Sequence, residues 1–205
     1  MGGISNVIDA GSKYKVTYSE TVKKGWNLLP TSSGSAWDVA DSPGSTKMSA
    51  IYLYLPIQNK YVSAKGGFND NDFNAVKQNS EFLTTSASWY YFSEDATLSF
   101  TVDKAITAKL HQGWNLLTIP PSFTTLGDSS LKNFPIGNCE VEKLYMWNSE
   151  SQTWENLAAG QSASKMIDEL SDPDAIGLGV AIKVKNTCAL GKKQVGVSPP
   201  PSLPG

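Results

Sequence analysis

Asp70, Asp72, Asn74 and Glu81 occupy positions 1, 3, 5 and 12 of the calcium-loop template, where hard oxygens can wrap Ca²⁺. The same stretch departs from that template. Ala75 stands where the sharp turn needs Gly, Lys77 replaces an apolar residue, and the preceding KYVSAKGG has no helical pattern. An N-cap at Asn71 or Asp72, opening a helix over FNAVKQNS, accounts for the same residues and is the preferred reading. Calcium is kept as the alternative, and no other cofactor is expected. His111 is the one histidine, and no Ser sits in a nucleophile-elbow motif, so a hydrolase triad is not expected. The carboxylates Glu94 with Asp95, Glu140 with Glu142, and Asp172 with Asp174 are glycosidase pairs in principle. Solvated turns explain them better. Gly177-Leu178-Gly179 opens a strand rather than a phosphate-binding turn.

Two cysteines, Cys139 and Cys188, together with one histidine make no zinc set. They are either a disulfide, which would stabilise by about 4 kcal/mol in the chain-entropy model, or two buried thiols. The spacing leaves both open.

The remaining chemistry is aromatic. Tyr54 with Tyr61 and Trp147 with Trp154 have the spacing of cross-strand partners flanking a hairpin loop. Such pairs staple a hairpin. Exposed, they would stack on the apolar faces of sugar rings. Trp89, Tyr90 and Tyr91 are consecutive, so at least one must face away from the core and is available to a partner.

These residues are carried by a repeat. GWNLL at Gly25 recurs at Gly113, each time followed by a short helical pattern (SAWDVADS, DSSLKNF) and an alternating strand (AIYLYL, EKLYMW). A hairpin aromatic, a polar and helix-compatible segment (NDNDFNAVKQNSEF, SASKMIDELSD) and a β-rich close follow in both copies. In GWNLL, Trp26 and Leu28 point to one face, Asn27 and Leu29 to the other. Apolar residues on both faces predict a central strand, with Trp26 and Trp114 in the core. The fold class expected is all-β with short helices, as two tandem β-sandwich or barrel-like repeats. The boundaries read as an N-terminal arm (1–12), β repeat 1 (13–103), β repeat 2 (104–191) and a Pro-rich tail (192–205). The junction TVDKAITAK has no Pro or Gly, which favours close packing of the repeats into one pseudo-symmetric body.

Composition narrows the partners. All 17 basic residues are Lys, the net charge is −2, and no basic run exceeds two residues, which argues against nucleic acid. No apolar stretch is long enough for a membrane helix. The start, MGGISNVIDAGSKYK, carries no signal-peptide pattern. The tail SPPPSLPG, with Pro199, Pro200, Pro201 and Pro204, suits an extended polyproline segment and is read as an assembly element contacting another subunit.

GWNLL, an aromatic-ended strand, a hairpin and a second aromatic together resemble the GWNL-type β modules of bacterial and archaeal secreted and surface proteins. The matching residues are 25–30 with Tyr54, Tyr61 and 88–91, then 113–120 with Trp147, Trp154 and 179–182. The last segment departs from the module, having no Trp or Tyr. The resemblance implies a β module on an outer surface and no catalytic residue. The expectation is therefore a non-enzymatic structural or interaction protein of a cell surface, filament or virion, bound to other subunits as a homo-oligomer or larger assembly. The alternative is a carbohydrate-binding module or adhesin that uses Trp89, Tyr90, Tyr91, Tyr54, Tyr61, Trp147 and Trp154.

Overall fold

Each alternating apolar run forms a strand. The computed structural model describes residues 6–12, 15–31, 47–63, 82, 85–103, 107–120, 123, 138–157 and 175–191. The first half contributes β1 (Asn6–Ser12), β2 (Lys15–Val22), β3 (Gly25–Pro30), β4 (Met48–Leu55), β5 (Lys60–Ser63), β6 (Ala87–Phe92) and β7 (Ala96–Asp103). The second contributes β8 (Thr107–Leu110), β9 (Gly113–Thr118), β10 (Val141–Asn148), β11 (Thr153–Asn156), β12 (Gly179–Val184) and β13 (Cys188–Gly191). Among the described residues only Phe82 and Thr85 have α-helical backbone, and no complete helix is described. The segments expected to be helical, 35–42, 69–82, 128–134 and 162–172, lie outside them except for Phe82 at the end of the second.

The two halves have one topology. Sheet order β3-β6-β4-β5 in the first matches β9-β12-β10-β11 in the second, and β2-β7 matches β8-β13. All pairings are antiparallel. Each half is therefore an open two-layer sandwich, with no closed barrel. The segment read as an arm is a strand, β1, added to the edge of β2.

Period-two alternation fills the two cores. In the first, Leu29, Ile51, Leu53, Val62, Tyr90 and Phe92 of the four-stranded sheet meet Val22, Ala96, Leu98 and Phe100 of the other layer. In the second, Leu117, Leu144, Val180 and Ile182 meet Ala108, Leu110 and Leu190. Cys139 and Cys188 form a disulfide across a Cα separation of 5.2 Å. It ties the chain entering β10 to the start of β13, so it clips the two layers of the second sandwich together. Closing a loop with a sequence separation of 49 contributes about 4 kcal/mol in the chain-entropy model.

The repeated Gly-Trp-Asn has a local cause in both copies. After β2, and again after β8, two residues carry the chain from one layer to the other. Gly25 (φ 102°) and Gly113 (φ 96°) then take a backbone conformation that side-chain-bearing residues avoid. The Asn two residues later folds its buried side chain back over the turn. Asn27 Oδ1 accepts from the Lys23 N–H (3.1 Å), and its Nδ2 donates to Lys23 O (2.8 Å) and Gly25 O (3.1 Å). Asn115 repeats the set with His111 N–H (2.9 Å), His111 O (2.8 Å) and Gly113 O (3.1 Å).

Glu20 is the exception to the alternation. It lies two residues before Val22 and opposite Leu98, both inward-facing. Its carboxyl therefore points toward the first core, and burial raises it to about 8.

Asn115→Ala leaves three part-buried backbone groups without their partner and should cost about 2 kcal/mol, read from the urea midpoint. For Glu20, the folded chain holds a proton that the unfolded chain releases near the ordinary value of 4.5. Its stabilising effect is complete below that pH, declines through the interval and is lost above about 8. The melting temperature should fall between pH 5 and 8, and Glu20→Gln should flatten that slope and raise stability at pH 8.

Candidate functional site

The aromatic residues lie where the two sandwiches meet. Residues of β3, β4 and β6 on the face away from the first core pack against the corresponding face of β9, β10 and β12. Leu28, Tyr54 and Ala87 are buried against Leu116 and Ala181, with Trp89, Trp114, Tyr145 and Trp147 around them. An isolated antiparallel bridge, Ser86 to Leu117, joins the two backbones. Gly179 lies directly on Leu28, where a Cβ would collide with the Leu28 carbonyl oxygen and side chain. This contact corrects the central-strand reading of GWNLL. β3 and β9 are edge strands of their sheets, buried on both faces because each repeat covers the other. Trp26 and Trp114 are only half-buried, at the margin of the contact rather than inside a core.

The exposed edge of β3 is closed by the other repeat. Gln152, in the β10–β11 loop, accepts from the Trp26 N–H through Oε1 (2.7 Å) and donates to Trp26 O through Nε2 (2.9 Å). The side-chain amide thus pairs with the backbone as a neighbouring strand would. Trp147 Nε1 donates to the same oxygen at 2.8 Å, and Lys23 bridges Asp95 (3.4 Å) and Glu150 (3.6 Å) beside it. The equivalent loop residue in the first repeat, Asn59, instead accepts from its own hairpin's Tyr54 hydroxyl at 2.6 Å. Nothing lies within 4 Å of a Cβ placed on Gly113, whereas one on Gly25 would meet Gln152 at 2.6 Å. Among the described residues, the pseudo-symmetric contact is pinned on one side only.

Beside the pinned edge opens a cleft of about 520 Å³ lined by Trp26, Tyr52, Tyr61, Trp89, Trp147 and Trp154. Four rings come from the first repeat and two from the second. They stand edge to face rather than flat: Trp89 against Trp147 (4.8 Å, 87°) and Trp154 (5.5 Å, 81°), and Trp26 against Trp89 (6.2 Å, 81°). Tyr61 (53% exposed), Trp154 (40%) and Tyr52 (37%) form its open rim.

Of the residues expected to stack on a ligand, Trp89, Tyr61, Trp147 and Trp154 line this cleft. Tyr91 faces the same way but packs edge-on against Trp26 at 5.1 Å. Tyr90 does not belong to the set. It alternates inward, is fully buried, donates its hydroxyl to Pro30 O at 3.1 Å, and has its ionisation suppressed by burial. Tyr54 is buried in the contact, and burial followed by the neighbouring Tyr61 raises its hydroxyl pKa. The hairpin pairs are direct cross-strand partners, Tyr54 with Tyr61 and Trp147 with Trp154. Trp26 and Tyr52 were not among the expected stacking residues. Period-two spacing from Tyr54 puts Tyr52 on the same face, so that signal was present in AIYLYL.

The carboxylate pairs serve elsewhere. Asp95 accepts from the Lys24 N–H at 2.8 Å, and that bond, aided by Lys23, holds its carboxyl below the usual range. Glu94 pairs with Lys47, Glu140 with Lys185, and Glu142 with Lys183, whose hydrogen bond lowers the Glu142 carboxyl. His111 is held at the second turn, its pKa lowered by burial and then by Lys109. Among the described residues no cluster of three His, Cys, Asp or Glu could hold a metal. Asp70, Asp72, Asn74, Glu81, Asp172, Asp174 and the tail prolines Pro199, Pro200, Pro201 and Pro204 lie outside the described residues. No protein-family model, curated protein or solved structure matches the chain.

Because Gly179 sits against Leu28, Gly179→Ala should part the two sandwiches while sparing both cores. The expected result is a loss of about 1–3 kcal/mol with a red shift of tryptophan emission. An unchanged urea midpoint would contradict the packing described.

Proposed function

We propose that the protein is a non-enzymatic interaction protein of an outer surface or particle, whose working surface is the aromatic cleft between its repeats. The cleft is the observation that carries this reading. Its six aromatic rings come from both sandwiches, and its volume falls within the range of ligand pockets. Wetted aromatic recesses gain free energy when a partner covers them. The disulfide supports an oxidising location, since such bonds persist outside the reducing cytosol.

A second reading, a saccharide as the partner, is favoured by the rim. Trp154 and Tyr61 are the most exposed of the lining rings, so their faces are accessible to the C–H face of a sugar. Every described tryptophan, Trp26, Trp89, Trp114, Trp147 and Trp154, is at least partly exposed. Oligosaccharide and peptide arrays probed with the folded chain test both readings. Capture should fall at least tenfold in a Trp154→Ala/Tyr61→Ala variant with an unchanged far-ultraviolet spectrum. Capture that survives the double change would move the working surface away from the cleft.

A further inference from the structure

The residues lining the cleft are all aromatic, and none of them brings a charge, a carboxylate or a carboxamide to it. We infer that the cleft is an aromatic cage for a quaternary ammonium group, the chemistry of a choline headgroup or a trimethylated amine. The inference rests on the cleft being the working surface, and adds the chemistry of what enters it.

Wall geometry is the first argument. The rings lock one another edge to face. Trp89 meets Trp147 at 87° and Trp154 at 81°, and Trp26 meets Trp89 at 81°. Trp147 and Trp154 stand at 75°, Trp26 and Tyr52 at 53°. These contacts close the joints between rings, so a ligand occupies the open space that the walls enclose. None of the pairs is coplanar, so together they make no extended flat platform for a sugar ring. Walls at steep angles suit a compact, near-spherical group that touches several ring faces at once. Each face carries the negative part of the ring quadrupole and attracts a cation within about 6 Å of its centroid. Tryptophan is the strongest ring for this contact, and Trp26, Trp89, Trp147 and Trp154 make up most of the lining.

The polar atoms are the second argument. At the pinned edge the hydrogen-bonding groups are already engaged. Trp147 Nε1 and Gln152 Nε2 both donate to Trp26 O, Gln152 Oε1 accepts the Trp26 N–H, and Gln152 Nε2 also donates to Ser149 O. Among the lining side chains, only the Tyr52 and Tyr61 hydroxyls can accept a hydrogen bond. They are too few for the hydroxyls of a sugar or the N–H groups of a primary ammonium, whose unmet bonds would oppose entry. A quaternary ammonium has no N–H to satisfy, and its charge is spread over methyl groups that fit against ring faces. Lys23 pairs with Asp95 and Glu150 beside the cleft, which leaves the rings to attract the cation. With a volume of about 520 Å³, the cleft exceeds the headgroup alone and has room for part of the molecule that carries it.

The test titrates the full chain by calorimetry with choline chloride, with its neutral isostere 3,3-dimethylbutan-1-ol, and with ethanolamine. Choline should bind saturably, and the other two about tenfold more weakly. Trp154→Phe should retain part of the choline affinity, and Trp154→Leu, which keeps apolar bulk without a ring, should lose it with an unchanged far-ultraviolet spectrum. Equal binding of the isostere overturns the inference, because apolar burial alone would then suffice. So does equal binding of ethanolamine, a Trp154→Leu variant that binds like the unaltered chain, or an absence of choline binding. Phosphatidylcholine vesicles and a trimethyllysine peptide distinguish the source of the group. Capture of either, displaced by choline, supports the cage and names its carrier. If choline fails, capture of the unaltered chain on the oligosaccharide and peptide arrays, lost in Trp154→Ala/Tyr61→Ala, would still support the cleft as the working surface.

Discussion

Everything distinctive about this molecule depends on two edge strands burying their outer faces against each other's sheets. A sandwich layer normally gives one face to its core and one to water. Here β3 and β9 carry Leu28 and Leu116 on the outer face, and neither sandwich alone could shield them. Mutual burial removes that apolar surface, lets Gln152 cap the β3 edge against pairing with other chains, and leaves the larger rings at the margin. The cleft lies at the margin of this arrangement, where Trp89 of one repeat still meets Trp147 and Trp154 of the other edge to face while Tyr52, Tyr61 and Trp154 stay exposed.

Duplication supplies the frame and divergence supplies the site. Register places Ala181 where the first repeat has Trp89, since each lies opposite the first leucine of its repeat's Leu-Leu pair, Leu116 or Leu28. Gly179 likewise takes the place of Ala87. These reductions in size let the second sheet approach Leu28 closely while Trp89 fills the space above Ala181. The hairpin loops diverge in the same sense. Gln152 reaches across to the Trp26 backbone, whereas the shorter Asn59 satisfies its own tyrosine. A symmetric pair would have had two equal margins. The substitutions produced one pinned margin beside an aromatic cleft and one open margin beside Gly113.

Much of this was legible in the order of residues. Period-two alternation located the strands, the repeated GWNLL marked equivalent positions, and the aromatic spacing identified the two hairpin pairs. Alternation also required that Trp89-Tyr90-Tyr91 split between faces, although it did not say that Tyr90 would be the inward one. The reading of GWNLL went wrong on one point. Apolar residues on both faces are common to a central strand and to an edge strand covered by a second domain, and periodicity reports burial without reporting what does the burying. Trp26 was assigned to a core for that reason, and Tyr52 was passed over although its spacing from Tyr54 placed it on the same face.

By itself, the sequence determined the strands, the duplication, the positive-φ glycine and the asparagine clamp at each turn. All of these depend on contacts between residues near in the chain or on backbone sterics. Tertiary structure alone decided that Cys139 and Cys188 lie close enough to bond. It also decided that Gln152 completes the edge at Trp26 and that rings from six separate strands line one cleft. Those are contacts between segments distant in sequence, fixed by how two sheets dock. Docking depends on the relief of whole faces, which no local pattern encodes.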